Sequence, residues 1–152
     1  MTRVISLIIA IYILITEVLA NEYFIDAYGE IVLREKIILP DEIEKVIIKS
    51  ESYWVDNLGD YGEIFCVGGY DKIKNKVDLK MVCEGVNQNE EKFWGATSRT
   101  SDMEAGTGTF KYIAGNGKYK ELIGIKCNFA IRYFRKTKSF YKHKCLLNNL
   151  NN

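Results

Sequence analysis

The sequence is poor in proline, in histidine and in net charge. It has one proline and one histidine among 152 residues, and its 21 basic side chains nearly balance its 20 acidic ones. A net charge of +1 creates no overall field that would attract nucleic acid or a membrane surface. No Cys-x-x-Cys pair occurs, and His143 has no partner histidine, so we expect no zinc site and no other metal.

Phosphate-binding motifs are also missing, although the chain has 12 glycines. A P-loop needs Gly-x-x-x-x-Gly-Lys-Ser/Thr, but Lys118 is followed by Tyr119, and the first glycine would fall on Tyr112. The dinucleotide pattern Gly-x-Gly-x-x-Gly fails from Gly106 and from Gly115, since each window ends on lysine. We therefore expect no nucleotide and no other cofactor.

The amino terminus carries the pattern of a secretory signal peptide. Arg3 precedes an uncharged apolar run from Val4 to Thr16, and Val18 and Ala20 suit the −3 and −1 positions of a cleavage site. A helical run of this length rises only about 20 Å, less than the roughly 30 Å hydrocarbon core of a bilayer. We predict that residues 1–20 are removed, that the protein is exported to the periplasm or the extracellular space, and that no membrane span remains. A retained amino-terminal anchor is the alternative.

The remaining chain predicts a single all-β domain over residues 21–145, followed by a flexible tail over 146–152. Short apolar segments alternate with Gly, Asn and Asp clusters, as in an antiparallel meander. About eight strands in such a domain predict a closed barrel, which leaves no sheet edge exposed. One segment, 40–49, would also suit a short helix. The predicted strands are Ile31–Leu39, Lys45–Val55, Glu63–Tyr70, Val77–Gly85, Lys92–Arg99, Thr107–Ala114, Ile123–Arg135 and Ser139–Cys145.

Four cysteines, Cys66, Cys83, Cys127 and Cys145, lie in these strands. An even number in an exported domain argues for disulfides; four buried thiols are the alternative. A hairpin turn at residues 74–75 would place Cys66 opposite Cys83, and a turn about residue 136 would place Cys127 opposite Cys145. Residues opposite each other on antiparallel strands are close enough for a disulfide. We predict Cys66–Cys83 and Cys127–Cys145, a pairing that a one-residue slip in either turn would break.

Basic residues concentrate near the carboxyl end, where residues 126–144 hold seven Lys or Arg and no acid. We expect this segment to form the solvated face of the last hairpin, with an anionic partner as the alternative. His143 lies between Lys142 and Lys144, so we expect it on the surface rather than as a catalytic base.

No residue pattern identifies a catalytic site, so we assign no catalytic residue. Our first hypothesis is a non-enzymatic barrel that binds a small apolar ligand or an envelope partner, since aromatic residues can line an apolar cavity. The alternatives are a cyclase- or isomerase-type enzyme, for which Arg99, Glu84 or Tyr112 would be the interior polar group, and a purely structural role. The candidate ligand-binding residues, which core packing would explain equally well, are Tyr61, Phe65, Trp94, Arg99, Phe110, Tyr112 and Phe129.

The segments FCVGGYD, MVCEGVNQNEEKFWGATSR and EAGTGTFKYIAGNGKYKELIGIKC follow one another between residues 62 and 133. In this order they resemble a group of small exported bacterial proteins whose fold is similar to the allene oxide cyclase and dirigent type of eight-stranded barrel. The resemblance implies a barrel with a tight glycine turn at 115–117 and a strand bend at Gly124, but it implies no catalytic residue. The matching positions are Gly106, Gly108, Gly115, Gly117, Lys118, Tyr119 and Gly124.

Two segments depart from that pattern, and Cys127 and Cys145 are not part of it. The turn at residues 87–91 reads NQNEE and lacks the Asp-Gly-Asp acids of the group, so we expect no cation there. Glu121 replaces a glycine, which predicts a rearranged turn.

Overall fold

Each strand of this protein pairs with the next one along the chain, and the last strand pairs with the first. A computed structural model describes residues 22–147. All eight pairings are antiparallel and the sheet closes into a barrel, which confirms the predicted fold class. The strands are β1 (Glu22–Ile38), β2 (Glu44–Asp56), β3 (Tyr61–Ile73), β4 (Lys76–Asn87), β5 (Lys92–Asp102), β6 (Ala105–Gly115), β7 (Lys126–Phe134) and β8 (Lys138–Leu146).

Two predicted segments concern the chain termini. The signal peptide, residues 1–20, lies outside the described residues, and so do residues 148–152 of the predicted tail. The first residue of that predicted tail, Leu146, ends β8. Within residues 22–147, no helix has the length and apolar character needed to cross a bilayer.

The first strand is longer than predicted, because β1 begins at Glu22 rather than Ile31. Its first half alternates cleanly, with Tyr23, Ile25 and Ala27 buried. The helical alternative for residues 40–49 was wrong: only a 3₁₀ turn at Pro40–Glu42 forms, and β2 follows.

The connection from β6 to β7 also differs from the prediction. A tight turn was expected at residues 115–117, but a 3₁₀ helix follows at Gly117–Leu122 and places the buried ring of Tyr119 against the barrel. Gly117 has a φ of 50° there. Gly124, with a φ of 90°, lies before β7 rather than at a bend within it, and β7 begins at Lys126 rather than at the predicted Ile123.

Both predicted cysteine pairs lie at disulfide distance. Cys66 is directly opposite Cys83, with an S–S distance of 2.08 Å, and Cys127 is directly opposite Cys145, at 1.97 Å. All four side chains are buried inside the barrel. The two bonds therefore join β3 to β4 and β7 to β8 from within the core.

The barrel has two different ends. The loops after β2, β4 and β6 lie at the end that contains Tyr119, here named the Tyr119 end, and the other turns lie at the opposite end, the Arg99 end. Aromatic rings pack the Tyr119 end. Phe93 lies at their centre, with ring centroids 4.8 Å from Tyr119, 5.4 Å from Tyr112 and 6.0 Å from Trp54. An internal cavity lies further towards the Arg99 end.

Candidate functional site

A cavity of about 80 Å³ lies inside the barrel between the aromatic cluster and the Arg99 end. Apolar side chains form most of its wall, among them Ile48, Ile64, Leu79, Met81, Phe110, Phe129 and Ile131. The polar side chains in the wall are Ser50, Ser52, Thr97, Arg99, Tyr133, Ser139, Tyr141 and His143. A mainly apolar cavity with a few converging polar groups is the usual form of a ligand site.

The cavity comes nearest to solvent at the Arg99 end. Along the inner face of β7, Cys127 is 0% exposed and Phe129 is 7% exposed, whereas Ile131 and Tyr133 are only half-buried. On β1, Ile31 is likewise half-buried. A small molecule could therefore reach the cavity from this end.

Arg99 is the distinctive polar group of the cavity. Its side chain is 3% exposed, and its Nη1 atom has no hydrogen-bond partner among the described residues. No salt bridge within residues 22–147 includes Arg99, and no Asp or Glu lines the cavity. The Cζ atom lies 5.4 Å from the ring centroid of Tyr133, a cation–π contact that offsets part of the cost of burial. The guanidinium charge has no counter-ion in this part of the chain.

A second arginine stands at the same end. The guanidinium of Arg34 donates a hydrogen bond to the Tyr70 hydroxyl, and its Cζ atom lies 5.7 Å from the ring centroid of Tyr70. Burial raises the pKa of Tyr133, and the charges of Arg99 and Arg34 offset part of that rise. The Arg99 end thus combines two guanidinium groups with two tyrosines.

Sequence reasoning missed Arg34 because of a β-bulge. The register of β1 against β2 shifts between Ile31 and Leu33, so that Arg34 lies opposite the buried Ile48. Without the shift, strict alternation from Tyr23 would send Arg34 outward. No turn residue or proline in the sequence marks this bulge.

His143 was expected on the surface, and this was wrong. It is 6% exposed, faces the cavity, and lies 5.3–5.4 Å from the ring centroids of Phe110, Phe129 and Tyr141. Desolvation lowers the pKa of His143 to about 4, so the imidazole is neutral at pH 7. The signal was present in the sequence, because His143 is two residues from Cys145 and strand alternation places both on one face.

Four of the seven candidate ligand-binding residues face the interior. Arg99, Phe110 and Phe129 line the cavity, and Tyr112 is 0% exposed in the aromatic packing next to it. Burial raises the pKa of Tyr112, which keeps its hydroxyl protonated.

The other three candidates lie on the outer wall, so their expected position near the cavity was wrong. Tyr61 is 58% exposed and Phe65 is 42% exposed, on the face of β3 opposite to Cys66. Trp94 also faces outward and donates a hydrogen bond from Nε1 to Glu84 Oε2, 2.8 Å away. Glu84, proposed as an interior acid, is thus outside too, and its hydrogen bonds to Lys92 and Trp94 lower its pKa. Alternation from Cys66 would have sent Phe65 outward.

A larger but shallower groove, of about 750 Å³, crosses the outer wall from β6 to β2. Tyr28, Tyr53 and Phe140 contribute aromatic surface to it, and the Asp26–Lys142 ion pair crosses it at 3.2 Å. Its charged groups are solvated and partly paired, unlike the buried and unpaired Arg99. We therefore take the interior cavity as the candidate site.

The basic side chains of residues 126–144 lie where they were expected, on the exposed side of the last hairpin. Lys126, Arg132 and Lys142 are exposed, and Lys144 pairs with Glu22 at 2.5 Å. In the described range, no cluster of three His, Cys, Asp or Glu side chains could hold a metal ion.

Comparisons of the chain with protein-family models, with curated proteins and with solved structures found no match. The similarity to allene oxide cyclase-type barrels thus remains a prediction from the glycine-rich segment. The barrel architecture itself rests on the strand pairing.

Proposed function

We propose that this protein is exported and that its barrel binds a small ligand in the interior cavity without transforming it. The observation that carries the proposal is the cavity itself, whose wall is mainly apolar with a few polar groups directed inward. The two cysteine pairs support export, since disulfides persist in oxidising compartments. We include in the proposal the allene oxide cyclase-type barrel that the glycine-rich segment resembles.

The cavity volume sets the size of the ligand. Drug-sized ligands occupy sites of about 300 Å³ or more, and an apolar cavity of about 150 Å³ holds benzene. A cavity of about 80 Å³ suits a molecule of about three to five heavy atoms.

The enzyme alternative has less support. Of its three candidate residues, Arg99 and Tyr112 face inward, but Glu84 lies on the outer wall. The described cavity wall contains no carboxylate, and desolvation lowers the pKa of its one imidazole, His143, to about 4, which makes it a weak base. Binding without chemistry accounts for these groups.

Methyl NMR tests the proposal with defined probes. Met81 lines the cavity and Met103 does not, so the labelled methionine methyls provide a reporter and an internal control. We expect acetate, acetamide or propionamide to shift the Met81 methyl saturably and to leave Met103 unchanged. The proposal is overturned if none of the three does so and the protein from its own host, in native mass spectrometry, carries no small-molecule adduct.

Two matched leucine variants locate the binding. Ser50→Leu fills the cavity and should abolish the Met81 response, whereas Ser98→Leu adds the same side chain on the outer face and should preserve it. If Ser50→Leu fails to fold, Thr97→Ile serves as the filling variant. An unchanged response in a folded filling variant would place the binding elsewhere and would overturn the proposal.

A further inference from the structure

We infer that the ligand of the interior cavity is a small anion, specifically a monocarboxylate of two or three carbons, and that Arg99 binds its carboxylate. This inference rests on the proposed function, because it assigns the chemistry of the molecule that the cavity takes. Its basis is the guanidinium charge of Arg99, which is buried and has no counter-ion among the described residues.

The charge balance of the cavity carries the argument. Arg99 is the one charged side chain in the described wall, because His143 is neutral and no Asp or Glu faces the cavity. A buried charge without a partner is costly, and proteins pair such charges almost without exception. A water molecule can accept a hydrogen bond from Nη1 but brings no charge. An anion in the cavity supplies both the acceptor and the counter-charge.

The geometry around Arg99 favours a carboxylate. Tyr133 lies against the guanidinium, with its ring centroid 5.4 Å from Cζ, and Nη1 is free of protein acceptors. The N–H groups point outward in the guanidinium plane, and two of them match the two oxygens of a carboxylate. A carboxylate can therefore be bound through both of its oxygens.

The rest of the wall selects a short alkyl group over a bare inorganic ion. Leu79, Met81 and Ile131 line the same space of about 80 Å³. A methyl or ethyl group would fill this apolar part of the cavity. With chloride bound instead, the apolar side chains would face an empty space or water. Arg34, exposed at the same end, adds positive charge along the entry route.

The test compares two probes of nearly equal shape, acetate and acetamide, on the full disulfide-bonded protein. We expect acetate to bind at least about tenfold more tightly than acetamide in the Met81 methyl titration, since charge-assisted hydrogen bonds are about twice as strong as neutral ones. Chloride should compete weakly, and propionate should bind at least as well as acetate.

Three variants attribute the preference to Arg99. In Arg99→Met, acetate should bind about as weakly as acetamide, and acetamide should still bind. Arg99→Lys should keep part of the preference for acetate over acetamide. Arg132→Met, which removes an exposed arginine from the outer face of β7, should change nothing. Acetate should also raise the melting temperature of the wild type but not that of Arg99→Met.

The outcomes separate the two proposals. If neither acetate nor acetamide shifts Met81, the carboxylate inference is overturned, and the proposed ligand binding fails as well if propionamide gives no shift and native mass spectrometry finds no adduct. If both bind equally and Arg99→Met changes neither, ligand binding stands and the carboxylate inference is overturned. Chloride binding as tightly as acetate overturns the carboxylate assignment in favour of an inorganic anion. A further outcome also overturns the inference. If ligand-free Arg99→Met does not fold, and Arg99→Lys folds but does not respond to acetate, then Arg99 has a structural role and does not bind a carboxylate.

Discussion

Cys66 lies directly opposite Cys83 across β3 and β4, with Cα atoms 4.0 Å apart and both side chains directed into the barrel. The second pair, Cys127 and Cys145, repeats this arrangement across β7 and β8 with a Cα separation of 4.2 Å. Each bond joins two strands of a single hairpin. The loops they close are short, 17 and 18 residues in sequence separation.

Removing one bond should destabilise the barrel substantially. We expect the double variant Cys127→Ala and Cys145→Ala to lose about 3 kcal/mol of unfolding free energy, the amount that chain-entropy arguments give for a loop of this length. Urea denaturation followed by fluorescence measures the loss. The pair Cys66→Ala and Cys83→Ala should behave alike, because its loop has nearly the same length. A urea midpoint that stays the same in both double variants would show that the bonds add no stability.

The buried imidazole of His143 should make the stability of the protein depend on pH. Its pKa is about 4 in the folded protein and about 6.5 when the chain is unfolded, so between these values only the unfolded chain binds the proton. The contribution of the neutral imidazole to the free energy of unfolding is fully present above about pH 6.5. As the pH drops towards 4, the free energy of unfolding falls by up to about 3 kcal/mol. Urea denaturation at several pH values should show this slope, and His143→Gln should have a smaller one. Identical slopes for the two proteins would contradict a neutral buried imidazole.

The hydroxyl of Tyr23 should stabilise the turn between β2 and β3. It donates a 2.9 Å hydrogen bond to Asp56 Oδ2, while Asp56 Oδ1 accepts from the backbone N–H groups of Leu58 and Asp60. Tyr23→Phe should cost about 1.5–2 kcal/mol, since hydrogen bonds to charged groups are worth about that much. Tyr53→Phe removes a hydroxyl from a side chain that is 65% exposed and should cost almost nothing. Equal losses in the two variants would remove the hydrogen bond as the cause.

Gly85 should resist substitution because of a neighbouring ring. A Cβ atom at this position would lie 2.1 Å from Cζ of Phe93, whose ring is 2% exposed and cannot move freely. Gly85→Ala should therefore cost about 1–3 kcal/mol through overpacking. Combining it with Phe93→Leu tests the cause: the double variant should lose less than the sum of the single losses. Strict additivity in denaturation experiments would rule out this clash.

Alternation and turn spacing in the sequence were enough to predict the barrel and its cysteine pairs. The strand period of two residues is local, so the face shared by Val77, Leu79, Met81 and Cys83 could be seen directly. The turn positions then set which residues lie opposite each other. The same rule would have placed Phe65 outward and His143 inward, had the buried cysteines been used as the reference for each strand.

The residues of the candidate site were harder to predict from the sequence than the fold. Arg99 could be named from its position in a strand, but nothing in the sequence shows that it is buried without a counter-ion, because this depends on side chains from β1, β3 and β7. Arg34 comes to lie opposite the buried Ile48 only through an unsignalled bulge after Ile31, and it stays exposed at the Arg99 end.

By itself, the sequence determined the all-β class, the eight-strand meander and the two cysteine pairs, because each depends on alternation and on turns between neighbouring strands. Only the tertiary structure decided that Phe93, Tyr112 and Tyr119 fill one end of the barrel and leave a cavity beside Arg99. Closure brings together side chains from strands far apart in the chain, and their packing depends on volumes and register shifts that no local pattern encodes.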